Sequence, residues 1–139
     1  MSAAAANPMT TAEMIDLITD YAQGPKAVDL VVLDLSGASA FTDAFVIATG
    51  RSDRQVKAIH DSIHQGMKND HAMLPNHVEG LGEASWVLLD YGDVVVHVFT
   101  PATREYYRLE TLWGEVPRRT IASDEPEPAE DLVNDDATA

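Results

Sequence analysis

Five histidines, a scatter of aspartates near strand ends and one run mixing arginine with aromatic rings are the residues of this 139-residue chain best able to do chemistry. No cysteine is present, which removes disulfides, thiolate metal sites and cysteine nucleophiles. His60 and His64 stand four apart, a spacing that puts two imidazoles on one helix face and could hold a metal ion. The same segment carries Val56, Ile59, Ile63 and Met67 as its apolar stripe, so both histidines are expected toward solvent. Neither an HExxH arrangement nor a supporting carboxylate accompanies them or the later His71 and His77, and no metal is expected. Asp34, Asp43, Asp90 and Asp93 could act as paired carboxylates, holding magnesium for phosphoryl or nucleotidyl transfer. Their neighbours favour turn stabilisation by local hydrogen bonds, most clearly where Asp90 and Asp93 flank Tyr91-Gly92. Ser36 and Ser39 lack a nucleophile-elbow context, and the glycines form no phosphate loop. The expectation is therefore no catalytic residue and no cofactor.

Arg104, Tyr106, Tyr107, Arg108 and Trp113 could stack on RNA bases, but Glu105 and Glu110 interleave with them, which favours a salt-bridged helix face. Trp86 is more telling. It opens an otherwise aliphatic strand, and strand parity puts Trp86, Leu88 and Asp90 on one face. A core tryptophan is the competing reading, yet a face that ends in a carboxylate is a poor candidate for complete burial. Tyr91 lies in the turn and is expected to expose its ring. Trp86 and Tyr91 beside an acidic rim would form an anchor patch for a basic protein.

Charge points the same way. The formal net charge is −14, and seven negative charges lie beyond residue 121 with no Lys or Arg among them. Residues 1–121 carry nine basic and sixteen acidic side chains, a net of −7. Nucleic-acid binding depends on Lys and Arg neutralising phosphates, so direct sequence-specific recognition is not expected, whereas a basic protein would be attracted. No run of ~18 apolar residues suggests a membrane span, and no basic, apolar targeting segment opens the chain.

These side chains need a scaffold to place them. Residues 1–8 read as a flexible leader, 9–120 as one domain, and 121–139 as a disordered acidic tail with Pro126 and Pro128. Thr10 and Glu13 fit a capping box that starts a helix over Thr11 to Gln23, and Ser52 with Gln55 fits a second. Strands are expected over Val28 to Leu35, Ala44 to Thr49, around His77 to Glu79, over Trp86 to Asp90 and over Val94 to Phe99. Thr100-Pro101 opens a third helix that ends at Gly114 and carries Tyr106, Leu109, Leu112 and Trp113 inward or toward a partner. The order α-β-β-α-β-β-β-α describes a mixed sheet flanked by helices, an α/β or α+β sandwich.

An ordered set of segments resembles a known family. It comprises Val32-Leu33-Asp34-Leu35, Thr42 through Gly50, Ser52 with Arg54-Gln55-Val56 and Ala58-Ile59, Val78-Glu79-Gly80 with Trp86 through Phe99, and Arg104 through Trp113. Together they cover nearly the whole expected domain and resemble the iojap-related family of ribosomal silencing factors. That resemblance implies a non-enzymatic protein with a fold like a minimal nucleotidyltransferase domain, and the absence of cysteine fits a reducing, cytoplasmic home. The resemblance also implies binding to the large ribosomal subunit through ribosomal protein L-fourteen, a block on association with the small subunit when nutrients are short, and a homodimer when free. By position, Trp86 and Tyr91 match the partner-contacting strand and turn, with Leu88 on the same strand face and Glu79, Asp90, Asp93 and His97 at neighbouring positions. The alternative is a nucleotidyltransferase-like enzyme using the aspartates and magnesium. The Gly-Ser motif and close Asp-x-Asp pair which that class would want are missing from the sequence.

Overall fold

The structure is a computed structural model that describes residues 9–121. The expected leader and all of the expected tail beyond Ile121 lie outside the described residues. Helix α1 spans Thr11–Gln23 and starts as its sequence predicts. The Thr10 hydroxyl accepts the Glu13 N–H at 3.1 Å, and the Glu13 carboxylate accepts the Thr10 N–H at 2.9 Å. Helix α2 spans Asp53–His71, and the Ser52 hydroxyl accepts the Gln55 N–H at 3.2 Å. The reciprocal half of that box does not form. The Gln55 side chain accepts from Arg51 N–H instead, and donates to the carbonyls of Pro25 and Lys26, both at 3.0 Å. One glutamine thereby fastens the start of α2 to the link after α1.

Six strands form one mixed sheet: β1 Val28–Asp34, β2 Ala44–Thr49, β3 His77–Glu79, β4 Trp86–Asp90, β5 Val94–Phe99 and β6 Arg118–Thr120. Their spatial order is β3-β4-β5-β2-β1-β6, with β2 and β5 parallel and every other pair antiparallel. This is the α+β class the sequence implied. Helices α1 and α2 cover the first sheet face, burying Met14, Ile18, Ile59, Ile63, Val46 and Val96 in one apolar core. The second face has a smaller core of Leu33, Leu35, Ile47, Phe99 and Leu109.

Three features depart from the sequence reading. The third helix does not run unbroken to Gly114. It divides into α3, Pro101–Tyr107, and α4, Leu109–Leu112, at Arg108, whose φ is 48°. Leu109 enters the core and Trp113 packs against it, while Tyr106 and Leu112 remain 79% and 76% exposed. Strand β6 has no forewarning in the sequence, because Arg118-Arg119-Thr120 is short, polar and exposed throughout, and carries no apolar alternation. It pairs with the edge of β1. Ile121, assigned to the tail by composition, donates its N–H to Leu30 O at 2.9 Å and packs on the main core.

Candidate partner-binding face

Residues directly opposed in adjacent strands project to the same side of a sheet. Strands β4 and β5 pair Trp86 with Phe99, Leu88 with His97 and Asp90 with Val95. Strand β3 sets Glu79 opposite Leu88. The register therefore gathers Glu79, Trp86, Leu88, Asp90 and His97 on the second face. Trp86, Leu88 and Asp90 are each half-buried, while Val87 and Leu89 between them are buried against the helices. The parity expected from sequence is the arrangement in space.

Trp86 is held from three sides. Its ring lies 5.0 Å from Phe99 and 4.8 Å from Tyr107, and its indole N–H donates to His97 Nδ1 at 3.1 Å. A neutral imidazole that accepts at Nδ1 carries its proton on Nε2. That Nε2 is buried and has no hydrogen-bond partner among the described residues. Burial holds His97 down at about 4, so the ring is neutral at pH 7. Phe45 packs edge-on against it at 4.5 Å. With its N–H already bonded inside, Trp86 presents an apolar ring on a fixed mount.

The hairpin builds the rim. Gly92, at φ 89°, donates its N–H to Asp90 Oδ1 at 2.8 Å, and Tyr91 N–H donates to Val94 O at 2.9 Å. Asp93 is exposed, while its carbonyl accepts from Asp43 and Ala44 N–H at 2.8 and 3.1 Å. Glu79 is exposed and hydrogen-bonds His77 Nε2. Gly80, at φ +90°, follows, and a Cβ there would stand 2.0 Å from the Trp86 carbonyl oxygen. Only glycine fits beneath the start of β4.

Tyr91 does not take its expected place. Its ring is 8% exposed and packs into the main core, and its hydroxyl is buried without a partner among the described residues. Burial raises its pKa to about 12. The turn folds back over the helix-covered side, so a residue in a loop is interior here. Tyr107, 50% exposed, lies tilted against Trp86 and is the second aromatic ring that reaches the surface beside it. Sequence reasoning set Tyr107 on a salt-bridged helix face and not beside Trp86, because a contact 21 residues apart has no local signal.

The family described as ribosomal silencing factor during starvation matches residues 8–139 of this chain. The chain belongs to the ribosomal silencing factor family. It is 46% identical over 92 residues to the ribosomal silencing factor of Bacillus subtilis, covering 66% of this chain and 77% of that protein. It is 39% identical over 101 residues to that of Zymomonas mobilis, covering 73% and 75%. A crystal structure of a Chromobacterium violaceum protein superimposes with a TM-score of 0.73 at 35% identity, covering 86% of this chain and 92% of that one.

The other chemical candidates in this silencing factor domain make local hydrogen bonds or pack into the core. Asp34 Oδ1 accepts from Ser36 N–H and hydroxyl at 3.0 and 2.7 Å, bonds that hold its carboxyl below the usual range. Asp43 accepts from the Thr11 hydroxyl at 3.2 Å. Among the described residues no three His, Asp or Glu side chains converge as metal ligands. His60 is not solvent-facing as expected but 7% exposed, because the buried arc of α2 includes it beside Val56, Ile59, Ile63 and Met67. His60 Nδ1 bonds Asp61 at 2.9 Å. Its ring lies 5.3 Å from that of His64, which burial and then the His60 and Lys68 charges hold below the ordinary histidine value. No helix among the described residues is long and apolar enough to cross a membrane.

Proposed function

We propose that the protein silences ribosomes by occupancy: it binds the large ribosomal subunit through ribosomal protein L-fourteen and blocks association with the small subunit under nutrient limitation. Free protein forms a homodimer in the cytoplasm. The half-buried Trp86, bonded to His97 and packed at a tilt against Tyr107 on a sheet face with an acidic rim, carries this reading. Large aromatic side chains that are part-ordered before binding are typical anchors. Glu79 opposite Leu88, and Asp90 and Asp93 toward the hairpin end of β4 and β5, in a chain of net charge −14, suit a basic partner. Leu88 extends the apolar patch, and His97 acts from beneath. Tyr91, buried in the main core, is left out of the proposed contact. Exclusion of a second particle needs bulk at the right place and no bond-making, which agrees with the turn-bonded state of Asp34 and Asp90.

Sedimentation tests the reading. The protein is expected to travel with isolated large subunits and to be absent from joined ribosomes. Equal recovery with both would overturn the blocking mechanism.

A further inference from the structure

Nine Lys and Arg residues are spread along this acidic chain, yet four of them, Arg51, Arg104, Arg108 and Arg118, line one groove of about 830 Å³. The groove lies between α3 and the β1–β6 side of the sheet. Its acidic lining residues are Asp29, Glu105 and Glu110, so it carries a local net charge of +1 within a molecule of −14.

Its framework is built. Arg104 donates through Nε and Nη2 to Glu110 Oε2 at 3.1 and 2.6 Å, and through Nη1 to Thr49 Oγ1 and Asp29 O, both at 2.7 Å. Asp29, at φ 51°, sits where the β1–β2 register slips, and Arg108, at φ 48°, breaks the helix. A single guanidinium thus braces the slip in β1 against α4. Arg104 is consumed by this work. The Arg51 and Arg118 side chains are exposed, and neither forms an ion pair among the described residues. Arg118 spends one donor on the Glu110 carbonyl, at 3.2 Å.

We propose that this groove is a phosphate site that takes the backbone of RNA beside the docked protein, with Arg51 and Arg118 as its contacting cations. Two observations select RNA backbone over a free nucleotide. No aromatic ring lines the groove to stack a base. Register also places Thr49, Val31 and Arg118 on the same sheet face as Trp86, so a protein anchored through Trp86 turns the groove toward the same ribosomal surface. The acidic surface elsewhere suppresses free RNA binding at a distance, and the guanidinium groups act at close range. The proposal rests on the docking reading above for its setting, and the second of its two tests does not.

Two measurements decide it, using wild type, Arg51→Ala/Arg118→Ala and Arg51→Lys/Arg118→Lys. Both side chains are exposed and only that of Arg118 makes a hydrogen bond among the described residues, to the Glu110 carbonyl, so each variant is expected to stay folded with only a small change in stability, checked by thermal unfolding. In the first measurement, large-subunit affinity is followed across a salt series. The alanine pair is expected to weaken affinity about tenfold and to lower the salt slope by about 1–2, one step for each phosphate left without its cation, while the lysine pair keeps the slope. Wild-type affinity and slope in the alanine pair would overturn the proposal, whereas failure of wild type to bind at all would overturn the docking reading. In the second, an A-form RNA duplex, ATP and inorganic phosphate are titrated separately against the isotope-labelled full chain. The duplex is expected to shift the Thr49, Arg51 and Arg118 amides at a lower phosphate concentration than ATP does, and the alanine pair is expected to abolish this. Shifts by ATP alone, or by none of the three, would overturn the RNA assignment even if docking fails.

Discussion

Trp86 meets solvent with its ring and the interior with its N–H, because His97 accepts that N–H at 3.1 Å. Trp86→Ala is expected to weaken large-subunit binding by at least ~2 kcal/mol, about 30-fold, measured as a dissociation constant in a folded variant. His97 brings a pH dependence with it. Its unfolded value is near 6.5 and burial lowers the folded value to about 4, so the unfolded chain takes up the proton first as pH falls. Stability is then full above 6.5, declines as pH drops through that value toward about 4, and levels off below it. His97→Phe cannot titrate. Its unfolding free energy should fall less steeply over that interval, by about 3 kcal/mol in total, as read from denaturant titrations at each pH. Identical pH profiles would show that His97 is not held neutral by the fold. At this scale the sequence was only partly legible. Parity placed Trp86, Leu88 and Asp90 correctly, but Tyr91 and His60 were assigned outward and lie inside. A turn or a polar flank is a local signal, and their burial comes from where the hairpin and α2 pack.

The elements were easier to read where apolar periodicity and caps speak together. Helices α1 and α2, with Thr10 and Ser52 at their starts, and strands β2, β4 and β5 carry such signals. The break at Arg108 and strand β6 carry none: an arginine at φ 48° is not a sequence mark, and an exposed edge strand needs no alternation. Both depend on tertiary contacts: Arg104 bonds Glu110, Thr49 and the Asp29 carbonyl across the break, and β6 pairs with the edge of β1. Burial alone would raise the Glu110 pKa, but the Arg104 bonds and charge outweigh it and hold the carboxyl below its usual value. Arg104→Met is therefore expected to destabilise the fold by about 3 kcal/mol, because it strands a part-buried carboxylate, and thermal or denaturant unfolding will measure it. Gly80→Ala should cost at least ~1 kcal/mol of stability, since its Cβ would collide with the Trp86 carbonyl at a positive φ. A variant as stable as wild type would mean that the β3–β4 link yields without strain. If the variant stays folded, displacement of Trp86 should also appear as a shifted indole fluorescence.

For the whole molecule, the sheet divides the work. One face is closed by α1 and α2 and supplies the main core, while the other is covered only in part and presents Trp86, Tyr107 and the acidic rim. The open face belongs to a protein of net charge −14, so attachment to a basic neighbour should weaken as salt rises. The class of fold and the family were both legible in the sequence. The strand order was not, since pairing β2 parallel to β5 across α2, β3 and β4 is a long-range choice that no local pattern encodes. Light scattering from large and small subunits mixed with increasing protein measures occlusion most directly. Wild type at saturation is expected to suppress the rise in scattering that marks joining, with Trp86→Ala requiring about 30-fold more protein for the same effect. Undiminished joining at saturating wild-type protein would contradict the account.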